Sequence, residues 1–439
     1  MDKPFPDEPI SLFLLSVDTG EKRRLTQTPS GMIADSDPAF SPDGQRLVFT
    51  RSTGLSVADL HVIDLSPAFA PAGEPKRLTF DNRDAYSPAW TPDGRQIIFS
   101  SNRVGGGATT LWRIGASGGE QPQRLESVGE DGRNPTISPK GDRLVYDRRS
   151  GDRNIWRIEL PAAGKQIGSA ELKRSLFIAS SRNDGAARMS PDGSRIVFGS
   201  NRSGSPELWL CDSSGRNAAQ LTKQIGGSSP RWSPDGERIA FDSNIEGHFE
   251  VYVINANGGR PQRLTSGSTD SSAPSWSRDG KWIYFISTHG GEGQVWKAPS
   301  GGGRPIQVTK SGGFTALESR DGTFLYYTKY DEAKAYLKND PIGGLWRAPI
   351  EGGDETRILE SLNSRAFEVV EDGIYFFAPG RSGETLLQFY TFATKKTTLI
   401  GAFKKPVGGL IDVSPDRRSI LYTQIDEAGG DLMLVEGFR

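Results

Sequence analysis

An all-β propeller built of four-stranded antiparallel blades is the fold class this sequence predicts, on three observations. A Ser-Pro-Asp-Gly turn recurs along the 439 residues, and successive copies lie 42 to 52 residues apart. Each copy is followed by short apolar runs that alternate as strands do, and no long segment shows helical periodicity with caps. Four short strands in a period of about 45 residues match one propeller blade.

The turn comes first because it sets the register. In Ser41-Pro-Asp-Gly44 the proline presets φ, Asp43 tolerates the next position and Gly44 takes the left-handed conformation that reverses the chain. The flanking runs, Pro38-Ala-Phe40 and Arg46-Leu-Val-Phe-Thr50, then form a hairpin. The unit returns with Asp93 and Gly94, Lys140 and Gly141, Asp192 and Gly193, Asp235 and Gly236, Asp279 and Gly280, and Asp321 and Gly322. Degenerate copies follow at Glu371-Asp-Gly373 and Ser414-Pro-Asp-Arg417. These aspartates are read as turn residues and not as a carboxylate array, since repetition argues for architecture.

Third strands follow, among them Leu60–Leu65, Leu111–Ile114, Ile155–Ile158, Leu208–Cys211, Val251–Ile254, Val295–Lys297, Leu345–Arg347 and Leu432–Val435, with Trp or Tyr usually in second place. Fourth strands are short and polar, such as Lys76-Arg-Leu-Thr79 and Gln262-Arg-Leu-Thr265. A charged outer edge discourages pairing with other chains. A lone blade cannot bury both faces, so stability must come from stacking around a ring.

Composition narrows the function classes. With 53 basic and 54 acidic residues, no global field draws the chain to nucleic acid or an anionic membrane. The single cysteine, Cys211, excludes an internal disulfide framework. No apolar run is long enough to span a bilayer, and the first residues lack a signal-peptide pattern.

The combination Pro-x-aromatic-Ser-Pro-Asp-Gly, an apolar-Phe-x-Ser strand, a Leu-Trp strand and Gly-Gly-x-x-x-Arg-Leu-Thr resembles the WD40-like repeat of TolB-type propellers, most completely over residues 229–265. The stretches Phe13–Leu25 and Asp431–Arg439 are also similar to the C-terminal propeller region of CadC/ToxR-like membrane-anchored winged-helix regulators. That resemblance implies a periplasmic or extracytoplasmic setting and a sensory or protein-interaction role. Neither a winged helix nor a membrane helix is present in the chain, so no nucleic-acid binding is expected of it.

Two ring closures are open. The chain begins within a blade, at Ser11–Ser16 and Lys22–Thr26, and one ring of eight or nine blades would borrow Lys22–Thr26 as its missing strand. Alternatively, the six periods from Ser190 onward close alone, with Lys173–Ile178 as the closing strand. The irregular interval Pro161–Ser175 favours this split: a partial propeller over 1–165 and a six-bladed propeller over 166–439. Removing residues 1–165 is then expected to leave a folded remainder.

No residue set points to catalysis. Gly115-Ala-Ser-Gly-Gly119 matches a nucleophile elbow in letters, but strands flank it on both sides where that motif needs a strand entering a helix. His61, His248 and His289 have no metal-ligand spacing, so neither metal nor cofactor is expected. The candidate binding positions lie in loops joining second to third strands, expected at the channel mouth: Asn102, Arg103, Asn201, Arg202, Asn244, His248 and His289. The longest loop, Lys329–Gly344, is a further place for partner contacts. The expected function is non-catalytic recognition of a protein, a peptide or a small ligand. The alternative is a propeller hydrolase or lyase, or the propeller of a serine peptidase lacking its catalytic domain.

Overall fold

In the computed structural model the turn builds itself from its own side chains. Ser41 Oγ donates to Asp43 Oδ1 (2.6 Å), and the same carboxylate accepts the Gln45 amide while Ser41 Oγ accepts that of Arg46. The pattern repeats at Ser190, Ser233, Ser277, Ser319 and Ser414. The serine hydroxyl and the following amide hold each turn aspartate below the usual carboxylate range, to about 2 at Asp192 and Asp279. Gly236 has φ +71°, and a Cβ there would lie 3.6 Å from Pro191, so space is available and the cost is conformational. Gly236→Val is expected to lower stability by about 1–2 kcal/mol, and Gly236→Asn by less, in urea unfolding. Equal midpoints for all three proteins would contradict the turn assignment.

The structure describes residues 9–438 except 31, 55–56, 104–108, 130, 161–171, 290–292, 330–343, 364 and 382. The fold is all-β: the described residues hold 35 strands, one 3-10 turn at Glu126–Val128 and no α-helix. Two compact units divide the chain. The first comprises Met1–Ser150, Ile245–His248 and Gly429–Arg439, and the second Gly151–Asn244 and Phe249–Ala428. This differs from the expected boundary at 165/166.

The first unit contains the two-stranded sheet Phe13–Leu15 with Lys22–Arg24 and two four-stranded blades whose inner strands are Ala34–Phe40 and Ala85–Trp90. Gly132–Ile137 then pairs with the first half of Arg143–Glu159. Leu144 and Tyr146 pack there with Met433, Val435 and Phe438.

The second unit is a closed ring of six blades. Its inner strands are Asp184–Met189, Ser228–Trp232, Ser271–Trp276, Ala316–Glu318, Phe367–Val369 and Val407–Val413, each in contact with the next and the last with the first. The sixth blade corrects the strand assignment made from sequence. Its third strand is the later half of Arg143–Glu159, not Leu432–Val435, which belongs to the first unit. Arg174–Ile178 completes it as the outer strand. Thus Arg143–Glu159 and Ser419–Glu436 pair with each other, and each starts in one unit and ends in the other.

Three local devices set the inner strands. The register shifts in seven of them, and in six the shift is a one-residue β-bulge, for example between Gly185 and Arg188 and between Ser228 and Arg231. It places Asp37, Ser87, Asn134, Ala186, Ser229 and Ala273 at φ of 49° to 55°. Next, Trp232 and Trp276 donate their indole N–H (both 3.0 Å) to the carbonyls of Arg188 and Arg231 in the preceding blade. Finally, Arg195 and Arg238 lie over those same indoles at 5.1 and 4.8 Å.

Candidate functional site: the turn end of the second unit's channel

The loops joining second to third strands carry the seven candidate residues, and the blades use several of them internally. Arg103 pairs with Asp81 (2.6 Å), bonds Ser101 and covers Phe99 and Trp112. Arg202 does the same with Asp184 (2.7 Å), Ser200, Phe198 and Trp209. Asn102 and Asn201 accept the amides of Asp84 and Asn183. His289 is exposed and meets the edge of Trp296 at 5.5 Å. Asn244 falls in the second unit and His248 in the first. His61 is buried, stacks on Phe49, and burial brings its pKa down to about 4. The loop at 330–343 lies outside the described residues.

A cavity of about 910 Å³ instead opens at the other end of the inner strands, where the turns lie, and none of the seven lines it. The size suits a small ligand or a peptide segment. Its wall takes the same register position from every blade, two residues before the turn serine or its equivalent: Arg188, Arg231, Ser275, Leu317, Glu368 and Asp412. Turn and packing explain the repeated geometry around this position but do not dictate its side chain, which differs from blade to blade. The bulge delivers Arg188 and Arg231 there.

Two arginines on adjoining blades thus meet two carboxylates. Arg188, of which only 2% is exposed, lies 3.5 Å from Asp412 and 3.8 Å from Glu368, and donates to the Ile411 carbonyl. Arg231 pairs with Glu368 at 2.9 Å. Asp412 also accepts the Met189 amide (2.8 Å). Nε and Nη2 of Arg188 and Nη2 of Arg231 are buried without a hydrogen-bond partner among the described residues. Burial pulls the Arg188 guanidinium down to about 10, helped by Arg231, yet it stays charged at neutral pH. Burial pushes Glu368 up, but Arg231 and Arg188 outweigh it and hold the carboxyl below its ordinary value.

Asp412 goes the other way: burial raises it from 3.8 to about 6, against the pull of Arg188. The folded protein therefore holds this proton more tightly than the unfolded chain. The stability it contributes is complete below 3.8 and is lost as pH rises towards about 6. Asp412→Asn should remove that decline, as read from urea midpoints at pH 4.5 and 7. An unchanged pH profile in the variant would exclude this carboxyl as its source.

Among the described residues, no group of three or more His, Cys, Asp and Glu side chains could hold a metal ion. Gly115–Gly119 joins the third strand Thr110–Gly115 to the fourth, Gln123–Arg124. No helix among the described residues is long and apolar enough to cross a membrane.

A family model for the TolB β-propeller domain matches residues 4–228, and one for the tricorn protease N-terminal β-propeller domain matches residues 205–436. An uncharacterized peptidase, YuxL, of Bacillus subtilis (strain 168) is 25% identical over 123 residues, which are 28% of this chain and 18% of that protein. An uncharacterized protein, Atu1656, of Agrobacterium fabrum (strain C58) is 30% identical over 107 residues, 24% of this chain and 33% of its own. The chain therefore spans a third or less of these curated relatives. The crystal structure of TolB from Acinetobacter baumannii is 15% identical with a TM-score of 0.42, covering 91% of this chain and 81% of that one.

Proposed function

Because the chain belongs to the TolB β-propeller domain family, with a tricorn-type propeller match over its second half, we propose that it is a non-catalytic recognition module whose second unit receives a ligand at the turn end of its channel. One observation carries this reading: the cavity wall varies at the one register position that the repeat leaves free, and it collects charge there. A fold alone does not assign a task, whereas a shaped and charged cavity supports one. A peptide or small ligand is the occupant that fits this volume. The resemblance of Phe13–Leu25 and Asp431–Arg439 to membrane-anchored regulators supports a sensory role outside the cytoplasm.

The test is affinity selection from a mixture of synthetic linear octapeptides, read by mass spectrometry. The wild-type chain should enrich a subset. The double substitution Pro234→Trp and Glu371→Trp, which narrows the mouth at two exposed lining positions, should abolish the enrichment. Equal enrichment by both proteins would overturn the cavity as the receiving site.

A second reading, the propeller of a peptidase, draws support from the match to YuxL. In that case the cavity would serve as substrate passage to a separate catalytic domain. Turnover of peptide p-nitroanilides by this chain alone would overturn the non-catalytic reading.

A further inference from the structure

Two turns of the second unit break the repeat at the same place. The second turn residue is proline at Pro191, Pro234 and Pro415, where it presets φ, but arginine at Arg278 and Arg320 on neighbouring blades. The turn has no use for the exchange, because Ser277 and Ser319 close their aspartate bonds as the proline turns do. Both arginines line the cavity, and neither forms an ion pair with a described residue. The Arg278 guanidinium donates from Nε and Nη2 to the carbonyls of Ser319 and Glu318 (3.3 and 3.0 Å). Those bonds fix its plane without neutralising its charge. Burial, then the like charge of Arg320, lower its pKa, and the nearby carboxylates of Glu368 and Glu318 offset this only in part.

The surroundings complete a seat. Arg347 lies over the Phe324 ring at 4.4 Å and also lines the cavity, with no ion pair to a described residue. Tyr326 and Phe392 stack at 5.7 Å on the same wall. Behind the cavity wall, Nε and Nη2 of Arg188 and Nη2 of Arg231 are buried without a hydrogen-bond partner among the described residues. Like charges brought together at a half-buried mouth repel unless something negative joins them, and guanidinium planes suit oxyanions in particular.

We propose that Arg278 and Arg320 form an oxyanion seat for the ligand of this cavity, and that an aromatic or apolar portion of that ligand rests on Phe324, Tyr326 and Phe392. The proposal rests on the cavity being the receiving site and adds the chemical class of what it receives. A carboxylate, such as a peptide C-terminus, and a phosphate monoester share the required chemistry.

Isothermal titration of the full chain with three probes tests it: N-acetyl-Ala-Phe with a free carboxylate, its C-terminal amide, and phenyl phosphate. Both anions should bind more tightly than the amide by about tenfold or more, with affinity falling as salt rises. Preference between the two anions assigns the seat to carboxylates or to phosphates. Arg320→Gln removes an exposed side chain that makes no described contact, so folding is not at stake, and it should weaken both anions about tenfold. Arg320→Lys should recover part of that loss, and the amide should be indifferent to either change.

Equal affinity for acid and amide, or anion binding unchanged in both Arg320→Gln and Arg278→Gln, overturns the seat while the octapeptide selection still stands. Binding of none of the three also overturns it. The recognition reading itself falls only if narrowing the mouth leaves that selection unaltered.

Discussion

Replacing Arg188 with leucine is expected to lower the stability of the second unit by about 3–5 kcal/mol, as a fall in the urea midpoint followed by tryptophan fluorescence. The size comes from what remains. Asp412, 8% exposed, loses its only ion-pair partner among the described residues, and Glu368 keeps Arg231 alone. A buried carboxylate without its cation costs far more than the pair contributes when intact, because desolvation is no longer offset. The double substitution Arg188→Met with Asp412→Leu should therefore be less damaging than Arg188→Leu alone. A loss below about 1 kcal/mol for the single substitution would show that water reaches these groups and screens them.

Deleting residues 1–165 is expected to abolish folding of the second unit, the reverse of what the repeat pattern suggested. The deletion removes the third strand of the sixth blade. With it go Ile155 and Ile158, both fully buried, and the bonds from Asn154 (3.0 Å) and Trp156 (2.8 Å) to Asp426. Arg174–Ile178 then has no strand to pair with. Fully burying each large apolar side chain contributes about 1.5–3 kcal/mol, so these few residues are comparable with a typical domain's whole net stability of about 5–15 kcal/mol. Deleting only 1–142 keeps the strand and should leave the ring intact. Size-exclusion chromatography, with amide exchange at Ser228–Trp232, separates the outcomes. A monomeric, protected 166–439 fragment would refute closure by this strand.

The contrast shows which information is local. The turns were legible because their bonds lie within five residues: serine, aspartate and the amides that follow. The third strands were legible from alternation. A further repeat lies in four blades: an acid or amide at or near the start of the third strand accepts the hydroxyl of the threonine that follows the fourth. Thr79 serves Asp59, Thr222 serves Glu207, Thr265 serves Glu250 and Thr309 serves Gln294. That pairing accounts for the threonine of the Arg-Leu-Thr pattern, which a polar edge alone does not.

The bulge was missed because its left-handed residue changes identity, from Asp37 to Ser87 to Ala273, and leaves no single letter to follow. The cavity at the turn end is not legible in the sequence because Arg188, Arg231, Glu368 and Asp412 converge from four blades, with a separation of up to 224 residues between bonded partners. Period and alternation carry no record of which blades meet. The sequence likewise carries no record that Arg103 and Arg202, candidates for recognition, pair with Asp81 and Asp184 within the blades.

The sixth blade has a consequence for synthesis on the ribosome. Its strands come from within residues 151–178 and 407–428, so five blades are made before their last neighbour exists. Until then Asp184–Met189 and Phe367–Val369 present bare flanks, and the nascent chain is an open arc held ready for a segment still inside the exit tunnel. Late pairing across so much sequence is slow and exposed to misassociation. Stalled or truncated translation products of this chain should therefore be marked targets for chaperones, even when only the final strand is missing.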